Sequence, residues 1–154
     1  MKEVIEILTK NKETISTMES CIGGGIANAI TNIEGASEVF KYSAVTYSNE
    51  FKIKMGVDKN IINKYTVYSM ETANEMSKSI SKFTNSDYGI GITGQINRVD
   101  PNNITNENNR IYISVYDKEN DKYYNKIITA IEGSREDNKK VIINKIENIL
   151  NNIL

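Results

Sequence analysis

The sequence predicts an α/β fold, a single-domain three-layer α/β/α sandwich with a mixed sheet. Three observations carry this prediction. Segments of helical periodicity alternate with β-branched segments, two alternating strands then follow as a hairpin, and an amphipathic helix closes the chain. The 154 residues suit one compact domain with its own core, and no repeat or linker divides them. We therefore expect one domain over residues 1–154.

The first half of the chain predicts two strands among four helices. Val4, Ile5 and Leu8 recur at helical spacing, and β-branched or aromatic residues mark the strands. Gly35 is a stop signal for the second helix, and Asn49 is the expected N-cap of the third. The expected elements are a helix at Glu3–Asn11, a strand at Glu13–Met18, a helix at Ile26–Ile33, a strand at Val39–Ser48, and helices at Asn49–Gly56 and Asp58–Lys64.

The second half predicts a long helix, three strands and a closing helix. Ser69 is the expected cap of the long helix and Ser134 that of the closing helix. An Asn-rich, flexible loop is expected to follow the first of these strands, up to about Asn109. The expected elements are a helix at Ser69–Phe83, a buried strand at Asp87–Gly94, a hairpin of Arg110–Asp117 and Lys122–Ile131, and a final helix with an apolar stripe of Val141, Ile142, Ile146 and Ile149.

Composition and charge exclude several classes of function. Because 19 basic residues balance 20 acidic ones, the chain lacks the basic footprint of a nucleic-acid-binding protein. The single cysteine, Cys21, can form neither an internal disulfide nor a CxxC zinc or redox site. Neither a Walker A nor a GxGxxG pattern occurs, so a nucleoside-triphosphate or dinucleotide site is not supported. The residue inventory requires no metal, and we expect neither a metal nor a cofactor. No signal peptide or membrane-spanning apolar run is visible, and we expect a soluble cytoplasmic protein.

The absence of histidine constrains the mechanism more than any motif does. It excludes Ser-His-Asp and Cys-His catalysis, together with every metal site that contains histidine. Any acyl-transfer chemistry must therefore use a lysine, a carboxylate or a tyrosine as its base.

Three segments follow predicted strands and are expected to meet at the carboxyl edge of the sheet, where α/β proteins bind ligands. They are Glu19–Gly25, Tyr47–Lys52 and the segment from Gly94 onward. Ser20 lies at a glycine-rich strand-to-helix turn. Backbone N–H groups there can bind an anion, or the oxyanion formed when a serine attacks an amide or ester. Alternatively, Ser20 is a helix cap and the glycines serve packing.

The second of these segments contains a tyrosine and a lysine that are candidates for catalysis. Lys52 is expected near the start of a helix, where the helix dipole and burial disfavour the charged ammonium. A neutral lysine can act as a general base. Tyr47 is expected at the end of the preceding strand. Alternatively, Lys52 is a solvated surface residue and Tyr47 is a core aromatic whose hydroxyl finds a partner.

A known family is resembled by two stretches of the chain and by the spacing between them. The stretches are "ESCIGGGIANAITNIEGASEVF" and "VTYSNEFKIKMGV". That family is the C-terminal domain of CinA, the competence-damage-inducible protein, which is similar to the stand-alone nicotinamide-nucleotide amidohydrolases of the PncC type. The family's Glu-Ser-Cys-Thr-Gly-Gly is matched by Glu19, Ser20, Cys21, Gly23 and Gly24. Its Tyr-Ser-Asn-Glu-x-Lys is matched by Tyr47, Ser48, Asn49, Glu50 and Lys52.

The resemblance implies a role for each matched residue of the site. Ser20 is implied as the nucleophile, Lys52 as the general base and acid, and Tyr47 as a supporting hydroxyl. A Gly-x-Arg element before the last helix is matched at Gly133–Arg135, which either binds a phosphate or serves as a cap beside an exposed arginine. The expected substrate-binding residues are Cys21, Gly23, Gly24, Thr93, Gly94, Arg98 and Arg135.

The chain also departs from the family pattern. Ile22 stands where the family has a threonine beside the nucleophile. The family's Gly-Ile-Ala-Gly-Pro-x-Gly-Gly is replaced by "GQINRVDPNN" at Gly94–Asn103, and only Thr93 and Gly94 keep the start of that loop. Arg98 and Asp100 in this loop either reshape the ligand pocket or reflect drift at a flexible site.

The resemblance implies an amidohydrolase of pyridine nucleotide salvage, which converts nicotinamide mononucleotide to nicotinate mononucleotide and ammonia with a Ser-Lys dyad. Two alternatives stay open. One is an amidase with the same dyad and another substrate, selected by the divergent loop. The other is a catalytically silent nucleotide-binding or regulatory protein. The expected partner is a small pyridine nucleotide, with neither nucleic acid nor membrane, and the resemblance alone implies a homo-oligomer.

Overall fold

The computed structural model describes residues 1–98, 101 and 108–154. Two helix–strand pairs are followed by three helices, the third strand, a hairpin and a last helix, in the order that the periodicity predicts. The helices are α1 (Lys2–Asn11), α2 (Gly25–Thr31), α3 (Asn49–Lys54), α4 (Lys59–Tyr65), α5 (Met70–Thr84) and α6 (Arg135–Ile153). The strands are β1 (Ile15–Glu19), β2 (Phe40–Val45), β3 (Tyr88–Gly94), β4 (Arg110–Asp117) and β5 (Lys122–Thr129).

The strands form one mixed sheet in the order β2-β1-β3-β4-β5. β2, β1 and β3 run parallel, whereas β4 is antiparallel to β3 and β5 is antiparallel to β4. The carboxyl ends of the three parallel strands therefore lie at one edge of the sheet. The mixed sheet and its helical layers confirm the predicted α/β/α sandwich.

Two apolar clusters fill the two faces of the sheet. The larger cluster joins α1, α2 and α6 to Ile15 of β1 and to buried residues of β3 and β4. The smaller cluster joins α4 and α5 to Met18 and Ala44. Ile15 and Met18 differ by an odd number of positions on β1, and successive strand side chains point to opposite faces. One strand thus supplies both cores.

Close packing of α5 against β3 fixes the position of the third strand end. A Cβ atom at Gly91 would lie 2.3 Å from the carbonyl oxygen of Ala73, and one at Gly89 would lie 2.0 Å from that of Ser77. Only glycine permits this approach of helix backbone to strand backbone. The hydroxyl oxygens of Ser77 and Ser114 are 2.9 Å apart beneath the helix, so the small gap is also bridged by a hydrogen bond.

The boundaries of several elements differ from the sequence prediction. β2 ends at Val45 rather than Ser48, and Ser48 caps α3 in place of Asn49 by accepting a hydrogen bond from the Phe51 N–H at 3.3 Å. Because Ser48 leaves the strand to cap a helix, the strand stops before it. In α6 the fully buried apolar residues are Ile142, Ile146 and Leu150.

Other expectations concern the caps, membrane spans and the divergent loop. Ser69 caps α5 and Ser134 caps α6, as predicted. Within the described residues, no helix is long and apolar enough to cross a membrane. Asp100 and most of the expected Asn-rich loop lie outside the residues that the structure describes.

Candidate active site

The candidate site lies at the carboxyl edge of the parallel strands. Ser20 directly follows β1, and its N–H donates to the carbonyl oxygen of Ile92 on β3 at 3.0 Å. The Thr46 N–H donates to the carbonyl oxygen of Glu19 at 2.8 Å, which holds the segment after β2 against β1. The segments that follow these neighbouring strands are therefore brought together by sheet-like hydrogen bonds.

Ser20 and Lys52 form a buried pair at this edge. The Nζ of Lys52 donates to Ser20 Oγ at 3.0 Å and to the carbonyl oxygen of Thr46 at 2.7 Å. Lys52 is 1% exposed and Ser20 is 8% exposed. The interpretation of Lys52 as a solvated surface residue is therefore wrong. A buried amine that contacts a serine hydroxyl is an arrangement that can activate a nucleophile.

The position of Lys52 in α3 changes the electrostatic argument made from sequence. α3 has only six residues, so Lys52 lies in its last turn, where the dipole favours a cation. The helix dipole is therefore not the property that disfavours the ammonium at this position. Burial is the property that disfavours charge at this position, since water is removed from the amine.

The turn after β1 is organised by Glu19 rather than by a serine cap. The carboxylate of Glu19 accepts hydrogen bonds from the N–H groups of Ile26 at 3.2 Å and Ala27 at 2.9 Å. The N-cap of α2 is Gly24, with φ of 91°, so the interpretation of Ser20 as a helix cap is wrong. These N–H groups at the start of α2 are occupied by Glu19, and they are not open to a ligand anion.

Glu19 is a residue that sequence reasoning matched to a motif without giving it a function. It is fully buried, and the Thr17 hydroxyl donates to its carboxylate at 3.1 Å. Buried carboxylates are rarely tolerated without such partners. The available signal was a carboxylate at the end of a strand that leads into a glycine-rich turn. Because its carboxylate binds N–H groups at the start of α2, Glu19 connects the end of β1 to α2 and so holds the turn that contains Ser20 in place.

An open cavity of about 480 Å³ lies beside the pair, within the size range of small-molecule sites. Most of the expected site residues line it: Ser20, Cys21, Tyr47, Lys52, Gly94, Arg98 and Arg135. Gly23, Gly24 and Thr93 are not among the described residues that line the cavity. The Thr93 hydroxyl instead donates to the carbonyl oxygen of Val67 at 2.7 Å.

Tyr47 lies two residues beyond the end of β2, at the rim of the cavity. Its side chain is 67% exposed, so the interpretation as a core aromatic is wrong. Within the described part of the chain, its hydroxyl makes no hydrogen bond to Ser20 or Lys52. The structure therefore places Tyr47 beside the pair without a direct contact.

Cys21 follows Ser20 directly, and its protonation state bears on which residue is the nucleophile. Burial raises the pKa of the Cys21 thiol to about 12, although the positive charges of Arg135 and Lys52 act in the opposite direction. A thiol with such a pKa stays protonated at neutral pH, and the protonated form is a poor nucleophile. Ser20, with an amine in contact, is the better candidate.

The start of α6 supplies a guanidinium group to the cavity but no open anion site. Ser134 and Asp137 form a capping box, in which the Asp137 N–H donates to Ser134 Oγ at 3.0 Å and the Asp137 carboxylate accepts from the Ser134 N–H at 3.2 Å. The Ser134 N–H is therefore occupied by this carboxylate. The Arg135 guanidinium donates to the carbonyl oxygen of Ile96 and lines the cavity. The side chain is therefore the part of Arg135 that faces the cavity.

Gln95 is a cavity residue that sequence reasoning missed. Its side chain is 4% exposed, and both Nε2 and Oε1 lack a hydrogen-bond partner among the described residues. A glutamine directly after the Thr93–Gly94 pair, where the family has an isoleucine, was the available signal.

Among the described residues, no group of three or more acidic or cysteine side chains is arranged to hold a metal ion.

The chain matches known proteins over its whole length at the level of a family. The model of the CinA C-terminal domain family matches residues 1–154. A CinA-like protein of Endomicrobium trichonymphae is 47% identical over 89 residues, which are 57% of this chain and 21% of that protein. A CinA-like protein of Kosmotoga olearia is 46% identical over 92 residues, which are 59% of this chain and 22% of that protein. The aligned segments thus span about a fifth of the length of these curated relatives.

Solved structures of similar proteins share the fold at lower identity. A CinA superfamily protein from Escherichia coli superposes with a TM-score of 0.89 at 20% identity, over 99% of this chain and 87% of that chain. The competence/damage inducible protein CihA from Agrobacterium tumefaciens gives 0.85 at 22% identity, over 97% of this chain and 92% of that chain. At these identities the likeness shows the fold.

Proposed function

The chain belongs to the family of CinA C-terminal domains, and from that membership and its site geometry we propose that it is an amidohydrolase. The proposed reaction converts nicotinamide mononucleotide to nicotinate mononucleotide and ammonia. The observation that carries the proposal is the 3.0 Å contact between Lys52 Nζ and Ser20 Oγ, in a buried pair that opens on a cavity. In a chain without histidine, this pair supplies both a nucleophile and a base.

The first half of the proposed reaction forms an acyl-enzyme. Neutral Lys52 takes the hydroxyl proton as Ser20 Oγ attacks the carboxamide carbon, and the carbonyl electron pair moves to its oxygen. In the neutral state Lys52 keeps one N–H on the carbonyl oxygen of Thr46 and turns its lone pair to Ser20, so that the Ser20 hydroxyl becomes the donor in the contact that Lys52 donates when it is charged. When the oxyanion collapses, the carbon–nitrogen bond breaks, and the ammonium of Lys52 returns its proton to the departing nitrogen as ammonia.

The second half hydrolyses the ester that links the acyl group to Ser20. Lys52, neutral again, takes a proton from water as the water oxygen attacks the ester carbon. The bond to Ser20 Oγ then breaks, and Lys52 gives the proton back to the serine oxygen. Each proton that Lys52 accepts is returned, so one lysine serves both halves of the cycle.

In the turn after β1, the oxyanion is proposed to be stabilised by the backbone N–H of Cys21, which lines the cavity, whereas the N–H of Gly23 donates to the carbonyl oxygen of Ser20 at 3.0 Å. The nearby amides of Ile26 and Ala27 are excluded from this role because they donate to Glu19. Preorganised donors of this kind supply a large part of the rate enhancement in acyl transfer. Glu19 contributes indirectly, because it fixes the helix to which this turn leads.

Arg98 and Arg135 are proposed to bind the phosphate of the nucleotide. Both line the cavity that contains the Ser20–Lys52 pair. Guanidinium groups form paired hydrogen bonds with phosphate oxygens and keep their charge at all relevant pH values. Because these two cations line the same cavity as the Ser20–Lys52 pair, a phosphorylated carboxamide is favoured over free nicotinamide.

An amidase with the same dyad and another substrate is the second candidate. It is favoured by Gln95, Arg98 and Pro101, which line the cavity at positions where the family pattern has smaller or apolar residues. A larger or more polar wall at this position changes which carboxamide fits. The dyad chemistry is the same in both candidates.

Ammonia release from a panel of amides tests the proposal. The panel contains nicotinamide mononucleotide, nicotinamide, the full dinucleotide and simple aromatic amides, with Ser20→Ala as the control for background hydrolysis. We expect release from nicotinamide mononucleotide by the wild-type protein alone. Turnover of another amide only would favour the second candidate, and a folded protein that releases ammonia from none would show a silent binding protein.

A further inference from the structure

Gln95 presents an unpaired amide group at the wall of the candidate active site. Its side chain is 4% exposed and lines the same cavity as Ser20 and Lys52. Within the described residues, Nε2 and Oε1 both lack a hydrogen-bond partner, although the Gln95 backbone N–H donates to the carbonyl oxygen of Arg110 at 3.0 Å. The backbone is therefore anchored, and the side chain is not.

An amide that is buried without partners destabilises the folded protein, because it gives up its hydrogen bonds to water. Such groups in a native structure call for an explanation, and a bound ligand is one that the location supports. Gln95 has an acceptor and a donor side by side on one edge. A ligand that offers the complementary edge satisfies both atoms at once.

We propose that Gln95 recognises the carboxamide of the bound substrate by two hydrogen bonds. Nε2–H donates to the carbonyl oxygen of the substrate, and Oε1 accepts from its NH₂ group. This inference rests on the proposed function, since it assigns the group that reads the scissile amide. Gln95 is a specificity residue, and it neither accepts nor donates a proton in the reaction.

The same geometry discriminates the substrate from the product. A carboxylate still accepts from Nε2–H, but it has no hydrogen to offer, and its second oxygen then faces Oε1. Sites built to hydrogen-bond a donor reject analogues that lack it, because a buried polar group is left unpaired. The acid is therefore bound more weakly than the amide, which favours its release.

The test measures binding of nicotinamide mononucleotide and nicotinate mononucleotide to the Ser20→Ala protein by calorimetry. Gln95→Met in this background keeps the approximate shape and removes both polar atoms. We expect the ratio of the acid Kd to the amide Kd to fall by about tenfold, the size of one good hydrogen bond. Gln95→Glu keeps an acceptor and adds a negative charge, so the same ratio is expected to rise.

Asn74→Leu provides a matched control. Asn74 Oδ1 is also buried without a partner among the described residues, but Asn74 does not line the cavity. The ratio is expected to stay unchanged in this variant. We also expect the ligand-free melting temperature of Gln95→Met to be no lower than that of its parent, because no protein hydrogen bond is lost.

An unchanged ratio in both Gln95 variants would overturn the proposal, as would a failure of nicotinamide mononucleotide to bind the parent protein. A lower melting temperature with an unchanged ratio would assign Gln95 a structural role. Ammonia release by the wild type separates the two proposals. If ammonia is released but the ratio of Kd values is unchanged, only the proposal that Gln95 recognises the amide is refuted. If the ratio depends on Gln95 but no ammonia is released, the proposed reaction is refuted and recognition by Gln95 stands.

Discussion

The amine of Lys52 donates to the hydroxyl oxygen of Ser20 at 3.0 Å, although 32 positions separate the two residues in the chain. Two neighbouring parallel strands bring them together, since Ser20 directly follows β1 and Lys52 lies in the helix that follows β2. The Thr46 carbonyl holds the amine in place at 2.7 Å. The contact is therefore a product of the sheet topology, and its chemistry can be tested one residue at a time.

The first prediction concerns the combined effect of removing both members of the pair. Lys52→Met keeps the length and apolar character of the side chain, and Ser20→Ala removes only a hydroxyl. Each is expected to lower turnover by roughly three orders of magnitude, and the double variant is expected to be scarcely worse, because a nucleophile and its base act as one unit. Steady-state kinetics with circular dichroism as a folding control would measure this. Single losses that simply multiply would contradict the dyad.

The second prediction concerns pH. A general base must be neutral, so the rate is expected to rise with pH as the amine loses its proton. The pH profile of kcat/KM would measure it. Lys52→Arg is expected to be inactive across the range, since a guanidinium does not give up its proton. Activity in that variant would exclude Lys52 as the base.

Much of the fold was predictable from the sequence because periodicity and capping are local properties. The caps at Ser69 and Ser134 are examples, since a hydroxyl before an apolar repeat satisfies the first N–H groups of the helix. The end of β2 was not predictable in this way. Val45 to Ser48 has strand propensity, but Ser48 caps α3 instead, and that competition is decided by the next element.

The site was predictable in its residue types and only partly in its geometry. The absence of histidine reduced the candidate bases, and the motif resemblance selected Ser20 and Lys52. The role of Glu19 depends on its burial and on the backbone N–H groups that it binds. The role of Gln95 depends on its burial and on the lack of a partner for its amide among the described residues. Burial of a polar side chain is a tertiary property, so no local pattern reveals that Glu19 holds α2 or that the Gln95 amide lacks partners in the part of the chain that the structure describes.

The third prediction concerns the thiol beside the nucleophile. Burial raises the pKa of Cys21 to about 12, so the folded protein keeps a proton that the unfolded chain loses near the ordinary value of about 8.5. The stability that this proton contributes is fully present below the unfolded pKa and declines as pH rises toward the folded one. We expect urea midpoints to fall more between pH 8 and pH 10 in the wild type than in Cys21→Ala. Equal slopes in the two proteins would contradict the raised pKa.

Labelling by iodoacetamide gives an independent measure of the same thiol. Only the thiolate reacts, and at pH 8 the native protein holds almost none. We expect slow labelling of the native protein and rapid labelling in urea. Rapid labelling of the native protein at pH 8 would reopen Cys21 as a candidate nucleophile.

The fourth prediction concerns Glu19. Glu19→Gln keeps the shape of the side chain but replaces a carboxylate that accepts from the Ile26 and Ala27 N–H groups. Hydrogen bonds to a charged group contribute more than neutral ones, and we expect a loss of about 2 kcal/mol in the free energy of unfolding. Turnover is expected to fall as well, because the turn that carries Ser20 is no longer fixed.

Glu6→Gln is the matched control for this change. Glu6 pairs with Lys2 at 3.8 Å on the exposed face of α1. Exposed pairs contribute little, so we expect a change of no more than about 0.5 kcal/mol and unchanged turnover. Urea denaturation would measure both variants. Equal effects of the two substitutions would show that Glu19 does not organise the turn.

The fifth prediction concerns the phosphate end of the cavity. Arg135→Gln removes a guanidinium that lines the cavity, and we expect the KM for nicotinamide mononucleotide to rise by about tenfold or more, with little change for nicotinamide. Arg135→Lys is expected to recover part of the loss, because the charge is kept while the paired geometry is lost.

High salt is expected to weaken the effect of Arg135 on phosphate binding. Arg135 is exposed, so dissolved ions screen its attraction for phosphate. At 0.5 M NaCl the difference in KM between the wild type and Arg135→Gln is expected to shrink. Lys140→Gln is the control, because Lys140 lies five positions further along α6 and pairs with Glu136 at 3.0 Å, and we expect this variant to leave both substrates unaffected. An equal rise in KM for nicotinamide and its mononucleotide in Arg135→Gln would show that Arg135 positions the wall of the cavity through Ile96, rather than the phosphate.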